Sequence, residues 1–333
     1  MEKECLRLGA LIDRFHGKKI AVWGDFILDE YLTGNTRRIS REAPVLVISY
    51  QNKEFFLGGA GNSLINLKAL GADPFPIGIV GRDEAGDRIL DMLRSRRIPT
   101  RFLVRDKSYP TPIKTRIVAG EENTRKQQIL RIDKEAYVPE TASLKKRFQS
   151  ALETAKDFCS ALLVSDYNYM TVKEDVFAAA LPHYRRARIP VTLDSRFRLL
   201  RFKHVTVATP NEPEVEAAIR REIDGRIEVL KEAGKFLLRK LGSPALLITR
   251  GSHGMALFEK GKPTVFIPIH GSTDIVDVTG AGDTVISVFT LALACGASFR
   301  DAARLANSAG GIVVMKKGTA TVSPEELRKA LVS

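Results

Sequence analysis

Short apolar runs alternate with helical spacing over most of this chain, and that rhythm restricts the fold more than any other feature. Lys19-Ile-Ala-Val-Trp-Gly24, Pro76-Ile-Gly-Ile-Val80, Ala161-Leu-Leu-Val164, Pro190-Val-Thr-Leu193, Val205-Thr-Val-Ala208, Ala245-Leu-Leu-Ile-Thr249 and Met255-Ala-Leu-Phe258 read as short buried strands. Helical spacing follows several of them. Leu64, Ile65, Leu67 and Leu70 form one such stretch, residues 84–96 another, and two long helices are predicted from about Ala281 and Ser298. Strands of this kind, separated by helices, are buried on both faces of a mostly parallel sheet. The expectation is therefore an α/β fold with three α/β/α layers, read as one domain over residues 1–333. Residues 34–57 and 99–132 break the rhythm. They are rich in β-type residues, including Val45-Leu-Val-Ile-Ser-Tyr50, and predict a small β-sheet lid.

The 333 residues are 44% hydrophobic and 27% charged, enough for a large core. Lys plus Arg exceed Asp plus Glu by 52 − 39 = 13, which suits an anionic small-molecule substrate. The basic residues are scattered rather than clustered, so no nucleic-acid partner is expected. The first residues carry no apolar signal-peptide core, and the apolar run around Val285–Ala297 is too short to span a bilayer. No membrane association and a cytoplasmic location are expected. Cys5, Cys159 and Cys295 are far apart and predict reduced thiols.

Asp277-Val-Thr-Gly-Ala-Gly-Asp283 leads into the helix predicted from Ala281. Small residues at Gly280, Ala281 and Gly282 let backbone N–H groups approach a ligand at a helix N-terminus, where negative charge is favoured. A phosphoryl group in transfer carries such charge, and Asp283 is placed to accept a hydroxyl proton. The same residues also suit a glycine-rich turn capped by an aspartate. The stretch is neither a Walker A loop nor a dinucleotide fingerprint.

A second element, Gly58-Gly-Ala-Gly-Asn62 followed by Gly71 and Gly81, accompanies this turn. Together the two resemble the signatures of the PfkB, or ribokinase-like, sugar kinases, and the resemblance runs from about Lys19 to Leu331. It implies a ribokinase-like fold and transfer of the γ-phosphate of ATP to a sugar hydroxyl. Asp283 would then be the base, with Gly280, Ala281 and Gly282 as the anion hole. Asn211 and Glu214 match the family's N-x-x-E element, in which Glu214 would hold Mg²⁺ through water. Thr249, Gly251, Gly254 and Asn307 would bind the nucleotide. His253 lies in the same turn, but the family uses no histidine there. Asp29, Gly58, Gly59 and Asn62 would bind the sugar, and Asp25 would help or cap the turn after the first strand. Asp277 and Thr279, with backbone oxygens near Val313 and Gly318, would form a monovalent-cation site, for which K⁺ is the expectation. A homodimer formed through the lid is also implied.

Gly24-Asp25-Phe-Ile-Leu-Asp29, Ile129-Leu-Arg131-Ile-Asp133, Ser165-Asp166-Tyr167 and Thr209-Pro-Asn211-Glu-Pro-Glu214 narrow the resemblance to kinases of D-glycero-β-D-manno-heptose 7-phosphate in ADP-heptose synthesis for lipopolysaccharide. In some bacteria that kinase is fused to a nucleotidyltransferase. No H-x-G-H element is present, so a single-function kinase is expected. Two departures stand out. Tyr169 occupies a position where those kinases carry lysine, and Asp194-Ser195-Arg196 replaces their Asp-Pro-Lys. Lys114, Arg116, Arg131 or Arg196 would then supply charge for a sugar phosphate. Another PfkB-type sugar or sugar-phosphate kinase is the alternative, and a catalytically silent sugar- or nucleotide-binding protein is a further one.

Overall fold

Strand β1 (Lys19–Gly24) shows why the chain folds in three layers. Its Ile20 and Val22 enter one hydrophobic core, while Ala21 and Trp23 point into another on the opposite face. Side chains alternate along a strand, so a strand buried at consecutive positions needs cover on both sides. Helices Ala60–Ala69, Glu84–Ser95, Ala281–Ala294 and Phe299–Val313 cover one face. Helices Ala142–Lys156, Glu174–Arg186 and Ile227–Leu241 cover the other. The computed structural model describes residues 2–121, 126–271, 276–316 and 318–331.

In chain order the remaining strands are β2 (Phe26–Ile39), β3 (Leu46–Gly59), β4 (Asp73–Gly81), β5 (Leu103–Asp106), β6 (Ile113–Gly120), β7 (Gln127–Lys134), β8 (Ala161–Asp166), β9 (Val191–Ser195), β10 (Val207–Ala208), β11 (Ala245–Thr249), β12 (Met255–Glu259) and β13 (Val265–Ile267). The large sheet runs β13-β12-β11-β10-β9-β8-β1-β4-β5 and is parallel from β11 to β5. The small sheet runs β3-β2-β6-β7. Asp25, Asp166, Asp194 and Thr249 all sit at or just past the C-terminal ends of parallel strands, the edge where such sheets bind ligands.

The lid boundaries differ from the sequence expectation. The small sheet begins at Phe26 rather than 34, because β2 leaves β1 after only Asp25 and pairs with β3 as far as Gly59. Residues 103–106 lie outside it, since Leu103–Asp106 pairs in parallel with β4 as the edge of the large sheet. β4 also starts before Pro76, at Asp73. Its Pro74 and Pro76 lie where β4 pairs with β1 alone, as β5 reaches only Gly78–Gly81. A missing N–H is tolerated on such an open side.

Among the described residues, no helix is long and apolar enough to cross a membrane. The cysteines are free thiols, with Cys159 and Cys295 buried.

Candidate active site

Asp283 is the only ionised-type side chain in the first turn of the Ala281–Ala294 helix, and it is 4% exposed. Asn62 Nδ2 donates to its Oδ2 at 2.8 Å, and Tyr167 Oη donates to its Oδ1 at 3.0 Å. Burial pushes its pKa up to about 6, against the opposing pull of these two donors. A carboxylate so tuned is a base near neutral pH. Gly280, the cap of the helix, has φ 78°, and a Cβ there would lie 2.4 Å from Asn62 Nδ2. Glycine is therefore needed for Asn62 to reach the carboxylate. The Ala281 N–H is spent on Val278 O at 3.2 Å. At Gly282 a Cβ would meet no protein atom within 4 Å, so the open space there borders the cavity rather than the core.

That cavity has a volume of about 480 Å³ and joins elements from across the chain. Asp29, Lys114, Arg116 and Arg131 reach it from the lid, and Asp194, Asn211, Glu214, Thr249, Thr279, Gly280, Gly282 and Asp283 from the large sheet side. Two hydroxyls on its wall, Thr209 and Thr319, are buried without a hydrogen-bond partner among the described residues. Buried polar groups are nearly always paired, so these are places for a ligand. Gly59 lines the cavity, whereas Gly58 and Asn62 stand one layer behind it. Gly58 is there because a Cβ would lie 2.4 Å from Asp29 Oδ2.

A smaller apolar cavity adjoins the first and shares Thr249, Val278 and Gly282 with it. Gly251, Gly254 and Asn307 line it, together with Met255, Val285 and Gly311. The residues expected at the nucleotide are thus brought to one place. Asn307 spends its Nδ2 on Pro268 O at 2.8 Å, leaving its Oδ1 for a ligand. His253 is exposed and outside both cavities.

Asn211 and Glu214 form a reciprocal capping box at the start of the Glu212–Ile219 helix: Asn211 Oδ1 accepts from Glu214 N, and Glu214 Oε2 accepts from Asn211 N. The capping role and the place on the cavity wall coexist. Burial raises the pKa of Glu214. Asp194 is held well above the usual carboxylate range by burial and by the facing carboxylates of Glu214, Asp283 and Asp166. Crowded carboxylates of this kind are relieved by a divalent cation. Among the described residues no cluster of three His, Cys, Asp or Glu could hold a metal unaided. Asp277 accepts from Thr279 N (2.9 Å) and Gly318 N (3.0 Å), while Val313 O is engaged by Lys316 N. The turn and the 313–318 segment do meet, but Val314 O, not Val313 O, receives the Asp277 N–H.

Three charged residues make contacts that the sequence alone did not show. Arg116 does not stand free for a phosphate: its Nη1 binds Asp29 Oδ1 at 2.6 Å, with both side chains largely buried. Arg131 makes a two-pronged contact with Asp133 (2.8 and 2.7 Å). Asp25 is 0% exposed and does not face the cavity; it accepts from the backbone N–H groups of Tyr167, Tyr169 and Thr171. That clamp holds a loop in which Asn168 (φ 69°) and Met170 (φ 70°) adopt left-handed backbone, costing about 1 kcal/mol or more each. Lys114 is the exception among the lid cations. It is 7% exposed, no carboxylate pairs with it among the described residues, and its ammonium lies 5.1 Å from the Tyr167 ring and 6.0 Å from the Tyr169 ring. Burial lowers its pKa, against the attraction of Asp29.

The family profile described as pfkB family carbohydrate kinase matches residues 18–326. The chain belongs to that family. Among its relatives in the family, Bifunctional protein HldE of Geobacter sulfurreducens is 40% identical over 307 residues, 92% of this chain and 61% of the relative. Bifunctional protein HldE of Pseudomonas aeruginosa is 39% identical over 321 residues, 96% of this chain and 64% of the relative. The chain thus spans somewhat under two thirds of the length of these relatives. The structure of Arabidopsis thaliana ribokinase complexed with ribose and ATP superposes with a TM-score of 0.72 at 19% identity, covering 95% of this chain and 99% of that one. The phosphofructokinase-2 of Escherichia coli in complex with potassium gives 0.75 at 16% identity, covering 95% and 98%. At such identities the likeness is one of fold, and the fold is that of the pfkB-type carbohydrate kinases.

Sequence reasoning gave no role to Tyr167, Asp194 or Thr319. Tyr167 stands within a stretch already noted for its resemblance, Ser165-Asp-Tyr167, which was the one available signal. Asp194 is the penultimate residue of β9, and only the sheet order brings it to Asp283.

Proposed function

We propose that this chain transfers the γ-phosphate of ATP to the anomeric hydroxyl of a sugar that already bears a phosphate, D-glycero-β-D-manno-heptose 7-phosphate, in ADP-heptose synthesis. One observation carries the reading: a single cavity holds a buried carboxylate tuned as a base and, on the lid side, a buried lysine with no carboxylate partner. An unpaired buried ammonium is costly, and an anionic substrate group offsets that cost. The identity with the HldE proteins supports the choice of heptose.

In this reading Asp283 takes the proton as the hydroxyl oxygen bonds to the γ-phosphorus, and the bond to the β-phosphate oxygen breaks to release ADP. The N–H groups of Gly282 and Asp283, at a helix start with no intrahelical partner, face the charge that spreads over the transferring oxygens. Asp29 would bind sugar hydroxyls with the oxygen that Arg116 leaves free. Glu214 and Asp194 would hold Mg²⁺, which would neutralise charge on the ATP phosphates. Asp277 and Thr279 would hold K⁺ near the turn. The place of action would be the cytoplasm, and the assembly a homodimer through the lid. Tyr169, standing where lysine was expected, favours a second reading in which the acceptor is a different sugar phosphate.

The test is ADP release over a panel of sugars and sugar phosphates with the parent and Lys114→Met. Heptose 7-phosphate should have the highest kcat/KM, and Lys114→Met should raise KM for it while leaving KM for ATP nearly unchanged. Equal kcat/KM for a free sugar and its phosphate would sink the phosphate reading and leave the family assignment intact.

A further inference from the structure

Asp283 is held from both sides, and one side is the end of a longer chain of buried polar groups. Tyr167 fixes Oδ1 and Asn62 fixes Oδ2. An asparagine can present either end of its amide to a carboxylate, and only the NH₂ end attracts. What sets that end lies behind Asn62. Asn66 Nδ2 is 3.0 Å from the backbone O of Asn62 and 3.2 Å from its Oδ1. A backbone carbonyl only accepts, so the NH₂ group of Asn66 must face it. The same group then donates to Asn62 Oδ1 and turns Asn62 Nδ2 toward Asp283. At its other end, Asn66 Oδ1 accepts from Thr284 Oγ1 at 2.9 Å. Asn62, Asn66 and Thr284 are at most 1% exposed, so water does not substitute for any of them.

We infer that Asn66 and Thr284 are positioning residues for phosphoryl transfer: acting through Asn62, they fix the face that the Asp283 carboxylate turns to the acceptor hydroxyl. The inference rests on Asp283 being the base in the reading above. The relay joins two helices with different duties. The Ala60–Ala69 helix begins directly after Gly58 and Gly59, on the sugar side, and the Ala281–Ala294 helix begins at the transfer turn. Thr284 also closes the relay on that turn, since its N–H donates to Gly280 O at 3.1 Å and its hydroxyl, 2.9 Å from Asn66 Oδ1, lies 3.2 Å from the same Gly280 O. Packing alone does not need this polarity. Replacing both partners of a buried hydrogen bond by apolar groups of similar shape is often nearly neutral for stability, so an interface serving only to join the helices had no need of the pair.

The test compares Thr284→Val, Thr284→Ser and the double variant Asn66→Leu/Thr284→Val. One readout needs no substrate: the titration of the Asp283 carboxyl by ¹³C NMR, assigned with Asp283→Asn. The ionisable groups facing that carboxyl are Asp29 of β2, Lys114 of β6, Tyr167 after β8 and Asp194 of β9, and all four are kept. With the valine, Asn66 keeps its NH₂ toward Asn62 but loses the donor that anchors its Oδ1. Asn62 is then held less firmly, and the Asp283 titration should move up, by at most about one unit, the scale of one lost hydrogen bond to a charged group. kcat should fall about tenfold or more, as for a slightly misplaced group, with KM for ATP little changed. Thr284→Ser should restore both values. The double variant also leaves the buried Asn62 Oδ1 without its donor, so it should unfold somewhat before the parent and still show the shift. A parental titration and kcat in Thr284→Val and the double variant overturn the inference, as does Thr284→Ser behaving like valine, which would assign the effect to the methyl group. If Thr284→Val does not fold, the serine and double variants decide alone. A parent inactive on every sugar would defeat the proposed function, and the NMR titration would still settle the relay.

Discussion

A single buried carboxylate shows how activity and stability pull apart at this site. The Asp283 pKa of about 6 lies above the 3.8 of a free aspartate, so the folded state holds the proton more tightly than the unfolded one. Between those values folding is favoured by protonation, and this contribution is lost as pH rises through 6, amounting to about 3 kcal/mol at neutral pH. The base is active only when deprotonated, so kcat/KM should climb with pH through about 6. Asp283→Asn should lower kcat by about 10²–10⁴. The same variant should be no less stable than the parent at pH 7.5, and its advantage in urea unfolding should shrink at pH 5. A flat pH profile from 5 to 7, or a variant that unfolds markedly earlier at pH 7.5, would count against this account. The place of Asp283, in the first turn of a helix after a glycine-rich turn, was legible in the sequence, though the same residues also suited a capped turn. The fate of Arg116 was not. Lys114 and Arg116 share a strand face, and only the register of β2 against β6, pairing Tyr31 with Arg116 and Asp29 with Lys114, puts the arginine beside a carboxylate.

Elements with a strong local signal were legible, and those fixed by long-range pairing were not. β1, β8, β9 and β11 came straight from apolar runs, since strands buried on both faces admit little else. β2 did not. Its first residues look like a loop after β1, and only pairing with β3 and β6 makes them strand. β5 likewise is a strand because β4 offers it an open edge. The transfer turn lies between these cases and permits a sharp comparison of two glycines. Gly280→Ala forces a Cβ to within 2.4 Å of Asn62 Nδ2 at a positive φ, so it should cost about 1–3 kcal/mol of stability along with activity. Gly282→Ala adds a methyl group where no protein atom lies within 4 Å, inside a helix that favours alanine. Its melting temperature should match or exceed the parent value while kcat/KM falls at least tenfold, because the methyl group would occupy the space proposed for the transferring phosphoryl group. Differential scanning calorimetry beside steady-state kinetics checks both, and a fully active Gly282→Ala would place the phosphoryl group elsewhere.

At the scale of the molecule, the small sheet has two edges open in the single chain among the described residues. In the small sheet β3 and β7 are the edges, and apolar side chains gather on and beside them: Leu46 and Tyr50 on β3, Ile39 at the end of β2, and Ile129, Leu130 and Ile132 on β7, from 43% to 66% exposed. Both β7 residues Leu130 and Ile132 project from one face, since they pair with Ile117 and Thr115 two positions apart. Isolated exposed apolar residues are ordinary, but several along open strand edges suit an association surface. The rest of the large sheet is covered by helices, so an assembly that buries apolar area has its best opportunity here. The proposed second copy of the chain, joined lid to lid, would cover these edges and side chains. The lid also carries Asp29, Lys114 and Arg116, so its order bears on the sugar site. Sedimentation at micromolar concentration should then show a dimer. Leu130→Glu/Ile132→Glu should give a monomer with the large sheet intact by circular dichroism. Its KM for the sugar should rise well before its KM for ATP, because the cavity proposed for the nucleotide is lined from β11, β12 and the Ala281–Ala294 and Phe299–Val313 helices rather than from the lid. A parent that sediments as a monomer, or a double variant that stays dimeric, would move the interface off the lid.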